Sequence, residues 1–437
     1  MSGPFQDLRM SDFRFQFEWE ESPRARAPEL AATWARLEIH ADGQPITKVE
    51  ARRTQSVRTG IYVPLFPIAE WIVANWWFLW EEWRSGSPLS RHNLLAAREG
   101  FVLPDLTVAP TETQVELSWR PLVSAVPAVS SSDVLFLSSG SSTLPKPPVK
   151  DEFRRLVEAV LERLGSLGVQ HSFLTSEWRA VLETERDPEQ KAFCEKAARL
   201  GCDPFAVSGD VAAQIEHVGV LLPEPVVGDF CDAIPLARLT SGAEAVKSFI
   251  DTASAIAAEE GQWRELRASI QGRGAEAPWR SGYNEARALR ALLGAGGPIG
   301  GDVGDFLRRE FGSLQVREFD VTPAIDAITA PTRTEAPVFG FRSHLREESK
   351  RFILCRALSD HLVSGLPSLV TRGGTEHQQR NRAFAAEFLA PAASLRQRIA
   401  GDRVEEEDVE ELAQEFQVSD YVIRHQIQNH DLARLAE

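Results

Sequence analysis

Residues 62–83 read YVPLFPIAEWIVANWWFLWEEW, and no other stretch restricts the fold of this chain so strongly. Trp71, Trp76, Trp77, Trp80 and Trp83 crowd into residues 71–83. Such a segment must cross a membrane, fill a core or meet a partner. A span needs about 20 nearly uninterrupted apolar residues. Glu70, Asn75, Glu81 and Glu82 interrupt this one, and Pro64 and Pro67 stand at its start. Pro67 suits the first turn of a helix. Ile68, Ile72, Trp76, Leu79 and Trp83 then share one helical face. The expectation is a buried, Trp-rich core helix. The alternative is an exposed partner surface formed by the five tryptophans, since Trp is favoured at interface hot spots.

Around this helix the pattern predicts a multidomain α+β protein with 437 residues in two or three domains. Composition is that of a folded globular chain, 43% hydrophobic and 25% charged. Residues 1–149 read as a mixed N-terminal domain. TWARLEIHADGQPIT is a strand pattern broken by a turn at Asp42-Gly43, and FVLPDLTVAP, TQVELSWRP and DVLFLSSG are short strand candidates. SSGSSTLPKPPVK, 138–150, reads as a Ser/Pro linker between domains. Residues 150–282 read as a helical domain, with Asp151 a candidate N-cap and Gly165 a candidate stop. QGRGAEAPWRSG closes that region near 282. Residues 283–437 read as a third domain, mostly helical with a small sheet. Its strand candidates are LQVREFDV and APVFGFRS.

Charge and motifs remove several functions. Sixty-three acidic residues against 48 basic give a formal charge of -15, which opposes direct nucleic-acid binding. GAGGPIGGDVGDF, 294–306, is glycine-rich, but no Lys-Ser/Thr follows it, so it reads as a helix-to-helix loop with Asp302 as the next N-cap. No nucleophile-elbow GxSxG is present. Cys194, Cys202, Cys231 and Cys355 lack CxxC spacing and read as reduced thiols. The N-terminal MSGPFQDLRMSDFRF offers no apolar signal segment, so a cytoplasmic location without membrane association is expected.

RNRAFAAEFLAPAASLR, 380–396, and EELAQEFQVSDYVIRHQIQN, 410–429, resemble the ImmA/IrrE family of bacterial zinc metallo-endopeptidases. The first is similar to the family helix carrying FAxELLMP, and the second keeps LAxxFxVS. RFILCRALSDHL, 351–362, aligns with the family's RFTLAHELGHLL. The resemblance covers roughly residues 283–435 and implies a zincin-like fold. It also implies a metal centre in which HExxH supplies two His ligands and the general base, and a downstream Glu supplies the third ligand.

That centre is degenerate here. Arg356 and Asp360 stand at the two His positions, Ala357 at the Glu position, and only Glu387 matches. Arg cannot ligate zinc, and Ala cannot take a proton from water. Arg356 and Asp360 lie four apart on one helix face. With Glu387 arriving from the next helix, an Arg356–Asp360–Glu387 cluster is expected in place of the metal. No catalytic residue, metal ligand or cofactor is therefore assigned. The fallback is a rebuilt zinc site from Asp360, Glu387 and His377. His344 and His361 are further histidines near the degenerate helix, and His361 points to another face. His425 and His430 lie in the C-terminal tail, whose VSDYVIRHQIQNH has a helix-turn-helix outline with Ser419 as N-cap.

The first functional expectation is thus a catalytically inactive pseudo-metallopeptidase that binds, senses or scaffolds. By resemblance its setting is bacterial stress response, mobile-element regulation or phage defence. Its implied partner is another protein, such as a helix-turn-helix regulator or a defence-system subunit. The alternatives are an active zinc endopeptidase with a rebuilt site that cleaves a regulator, and a helix-turn-helix DNA-binding regulator.

Overall fold

The computed structural model describes residues 13–22, 27–81, 89–121, 134–169, 172–257, 262–270, 277–399 and 401–436. The chain is a multidomain α+β protein that divides into two compact units, Met1–Ala206 and Val207–Glu437.

The first unit runs through β1 (Phe13–Trp19), α1 (Pro28–Ala32), β2 (Trp34–Ala41), β3 (Gln44–Pro45), β4 (Val49–Ala51), β5 (Ser56–Arg58) and β6 (Ile61–Pro64). β2 pairs antiparallel with β1, β3 and β6. Its burial alternates residue by residue, as a strand with one wet face requires. Asp42 and Gly43 both adopt positive φ and form the expected tight turn into β3. The Trp-rich stretch then forms α2 (Phe66–Ala74) and α3 (Trp76–Trp80), broken at Asn75, whose amide donates to the carbonyl of Trp71.

Trp71, Trp76, Trp77 and Trp80 are all buried. The Trp76 ring meets Trp178 edge-on at 4.9 Å, and its indole N–H donates to Glu185. These side chains fill the core, so a partner surface built on Trp71, Trp76, Trp77 and Trp80 does not stand. Trp83 lies outside the described residues.

β7 (Asp105–Pro110), β8 (Gln114–Arg120) and β10 (Gly140–Pro145) make a second antiparallel sheet, and β9 (Val134–Phe136) pairs with β4. α4 (Lys146–Ser166), α5 (Ser172–Arg186) and α6 (Pro188–Arg199) complete the unit. The expected linker at 138–150 is instead β10 and the first turn of α4. Pro147 and Pro148 occupy positions whose N–H groups have no helical partner to lose. Asp151 lies inside α4 rather than capping it. The chain therefore divides after Ala206, and the expected helical middle is split between the units.

The second unit begins with α7 (Gly209–Leu221), α8 (Glu224–Ala233), α9 (Leu239–Ser254), α10 (Trp263–Ile270), α11 (Pro278–Leu292) and α12 (Val303–Phe311). The boundary read near 282 falls inside α11. Gly282 lies so close to a later helix, α14 (Glu376–Leu389), that a Cβ would collide with the carbonyl of Arg380. The glycine-rich loop joins α11 to α12, and Asp302 caps α12 by accepting from the N–H of Asp305, as expected.

A four-stranded sheet follows, ordered β11 (Gln315–Glu318), β13 (Pro337–Phe341), β12 (Ile325–Pro331) and β14 (Ser368–Thr371). β11 and β13 match the two expected strands. β12 and β14 were not expected. β12 is buried along almost its whole length, so it shows no alternation to read. α13 (Glu347–Ser364) lies against this sheet and against α10, α11, α12 and α14. α15 (Ala392–Arg398) follows α14 after Pro391. β15 (Arg403–Val404) and β16 (Arg434–Leu435) bracket α16 (Glu406–Phe416) and α17 (Asp420–Asn429), and α17 packs on α14 and α15. Among the described residues no helix is long and apolar enough to cross a membrane.

Candidate functional site

α13 carries the degenerate motif and has no solvent face over its central turns. Ile353 to Leu362 are all buried, including Arg356, Ser359, Asp360 and His361. Buried charges need partners, and the neighbouring elements supply them. Arg356 donates through Nε to Asn381 Oδ1 at 2.8 Å. Its Nη2 donates to the carbonyl of Thr371 at 2.7 Å and to Gln378 Oε1 at 2.6 Å. Its Nη1 faces Asp326 on β12 at 3.7 Å. Burial, aided by the Arg382 charge, pushes its pKa down to about 10, against the pull of Asp326, Asp360 and Asp229. It remains a cation at neutral pH.

Asp360 has a different partner. Its Oδ1 lies 2.6 Å from Nε2 of His377, while Nδ1 of the same ring lies 3.1 Å from Asp229 on α8. Asn381 and Ser368 donate weakly to Asp360. Burial works against a charge on His377, but the Asp360 and Asp229 carboxylates outweigh it and hold the imidazole well above its usual range. The result is a buried Asp229–His377–Asp360 chain beside the Arg356 cage, with Gln378 joining the two by donating to Asp229 and accepting from Arg356.

Glu387 belongs to neither. It accepts from Arg287 Nε at 2.8 Å, from Gln426 Nε2 at 3.0 Å and from the backbone N–H of Ala392 at 3.3 Å, with His430 at 3.4 Å. Burial favours its neutral form, yet His430, Arg287 and Gln426 hold its pKa below the ordinary value.

The expected Arg356–Asp360–Glu387 cluster therefore does not form: Arg356 bonds to neither carboxylate. At about 100° per residue, Glu387 stands about 180° round α14 from Gln378 and about 240° from Asn381. Gln378 and Asn381 face α13, so Glu387 is turned towards α11 and α17.

The fallback zinc set fails for the same reason. Asp360 and His377 are together, but Glu387 is on the other side of α14. Among the described residues no group of three His, Cys, Asp or Glu side chains is placed to hold a metal ion. Ala357 is fully buried and offers no proton acceptor. His361 lies edge-on to Trp263, and burial drives its pKa down to about 3. His344 is exposed in the loop before α13. The residues present do not fit a zincin metal centre.

Arg356 also forms part of the wall of a cavity of about 600 Å³. Trp279 and Tyr283 come from α11, Phe352 from α13, Arg382 from α14, and Tyr421 and His425 from α17. Asp326 and Arg372 also line it. Sequence reasoning missed Asp229, Asp326, Gln378, Asn381, Arg372 and Arg382. Two signals were available: a lone carboxylate inside the apolar run AIDAITA, and polar residues at 378, 381 and 382 on one face of α14.

Comparison with protein-family models, with curated proteins and with solved structures finds no match to this chain.

Proposed function

We propose that the second unit is a zinc-peptidase-like scaffold, of the ImmA/IrrE kind, that holds no metal and has been turned to binding or sensing. The observation that carries this reading is the commitment of Arg356. Where the motif would place a zinc ligand, a permanent cation is held by Asn381, Gln378 and the Thr371 carbonyl. Asp360 is bound to His377, Glu387 to Arg287 and Gln426, and Ala357 leaves the general-base position empty of chemistry. The protein works in the cytoplasm with a protein partner, in stress response, mobile-element control or phage defence; that setting rests on the resemblance alone.

Zinc stoichiometry by elemental analysis, before and after loading without chelators, tests the reading. Less than about a tenth of an equivalent is expected. One zinc per chain overturns it and puts an endopeptidase with a rebuilt site in its place.

A further inference from the structure

We propose that the 600 Å³ cavity beside α13 binds a nucleoside phosphate, with the phosphate on the arginines around Asp326 and the base against the aromatic side chains of α17 and α11. The volume falls within the range of small-molecule sites.

The arginines of this wall have donors to spare. Asp326 faces Arg372 at 3.6 Å and Arg356 at 3.7 Å in the lining, and outside it Arg342 at 3.5 Å, which also faces Asp320 at 4.0 Å. Charge-assisted N–H···O bonds close to about 2.7–2.9 Å. One carboxylate thus spans three guanidinium groups without closing on any of them. Arg382 donates to the neutral carbonyl of Gly373 and forms no ion pair among the described residues. The Asp326 and Asp229 carboxylates act on it electrostatically, and so does the Arg356 cation. The remaining carboxylate in the lining, Glu348, stands exposed in the first turn of α13. A phosphate bound here would receive bidentate donors from Arg372 and Arg382, with the fixed charge of Arg356 behind them.

The same lining carries exposed aromatic rings. Tyr421 is 70% exposed and lies against His425 with ring centroids 4.2 Å apart. Trp279 is 41% exposed and meets Tyr283 edge-on. Exposed rings beside a cationic groove are the combination that holds nucleotides by stacking and phosphate contact. The overall charge of -15 disfavours a polymer in the same place. The inference deepens the binding reading above and rests on Arg356 being a fixed cation.

Full-length protein is titrated with ATP, ADP, AMP and GMP by calorimetry. Adenosine, inorganic phosphate and a short single-stranded oligonucleotide serve as separate arms. At least one mononucleotide saturates at one per chain, at least about tenfold tighter than either adenosine or phosphate. Arg382→Gln weakens it about tenfold or more, exposed Arg372→Gln and Tyr421→Ala weaken it several-fold, and all three melt like the parent protein.

The proposal is overturned if no mononucleotide saturates, or if phosphate binds as tightly as the nucleotide. It is also overturned if the oligonucleotide binds while mononucleotides do not, or if the two exposed variants leave affinity unchanged. Zinc content is read on the same sample. One zinc per chain overturns the metal-free scaffold, and a failed titration of zinc-free protein overturns only the ligand assignment.

Discussion

Two helical stretches in this chain are buried nearly all round, and they are buried by opposite means. α2 and α3 bring FPIAEWIVA and WWFLW into the first unit's core. α13 brings EESKRFILCRALSDHLVS into the second. The first relies on apolar area, and its polar atoms are few. Trp71 and Trp76 have hydrogen-bond partners, whereas the indole N–H groups of Trp77 and Trp80 make none among the described residues. The second buries two arginines, an aspartate, a serine and a histidine, with Arg356 and Asp360 answered by several neighbouring elements. A shape-filling core tolerates exchange of similar shapes. A buried polar network depends on each partner being present. The difference suggests that α13 is held for specificity or ligand chemistry, while the Trp-rich segment is held for stability.

The sharpest way to break this contrast is at Arg356. Arg356→Ala takes a donor from Asn381 Oδ1, from the Thr371 carbonyl and from Gln378 Oε1, which keeps the Thr371 N–H, and leaves a cavity in the core. Removing one member of a buried charge network costs about 3–5 kcal/mol. A loss near 4 kcal/mol is expected in urea unfolding. Arg356→Lys should recover only part of it, because an ammonium cannot reproduce the fork that reaches Asn381 and Gln378 together. A loss below about 1 kcal/mol for either variant ends the claim that this network holds α13.

His377 gives the next effect, and it carries a pH signature. Its folded pKa is raised above the unfolded value of about 6.5. The stabilisation is therefore complete below about pH 6.5 and is lost as pH rises through the folded pKa. Wild-type stability should fall as pH rises above about 6.5, with a slope approaching about 1.4 kcal/mol per pH unit from this group until the folded pKa is passed. His377→Gln should be less stable than wild type at pH 6 by about 2 kcal/mol, with that slope removed. Identical pH profiles for the two proteins would mean that the imidazole is not charged between Asp229 and Asp360.

Glu387 tests the other side of α14. Glu387→Gln keeps the shape but turns one acceptor into a donor facing Gln426 or Arg287. The expected cost is about 1–2 kcal/mol, with zinc content unchanged. The same carboxylate has a lowered pKa, so its contribution is present above its unfolded pKa, about 4.3, and is lost as pH falls through the folded one. If Glu387→Gln instead changes metal content, Glu387 is a ligand and the reading of this scaffold as metal-free fails.

The sequence made some of this legible and hid the rest for identifiable reasons. The Trp-rich helix announced its burial because its apolar residues are large and share one face, with only Glu70 charged between Phe66 and Trp80. The glycine-rich loop with its Asp302 cap followed from capping, and the helices at 351–362, 380–396 and 410–429 followed from the resemblance. The proline-rich 138–150 misled because proline at a helix start looks like proline in a linker; only pairing of Ser141 to Thr143 with β8 distinguishes them. β12 was missed because a strand buried on both faces has no alternation.

At the site, sequence spacing correctly identified Arg356 and Asp360 as neighbours on one face. It could not say that each would bond elsewhere. Asp229 lies 131 positions from Asp360 (360 − 229), and no local pattern links them. The rotation of Glu387 away from α13 was computable from its nine-residue offset to Gln378, once Gln378 was known to face α13.

The smallest effect belongs to the Trp-rich segment and completes the comparison. Trp80 sits edge-on to Phe153 at 5.2 Å and to Trp76 at 5.6 Å, with no hydrogen bond from its indole among the described residues. Trp80→Phe loses part of the ring's apolar area but also removes a buried, unsatisfied N–H. The first change destabilises and the second stabilises, so the net loss should stay within about 1.5 kcal/mol. Thermal melting decides it. A drop as large as that of Arg356→Ala would show that shape is held as strictly here as charge is in α13, and the distinction between the two buried helices would disappear.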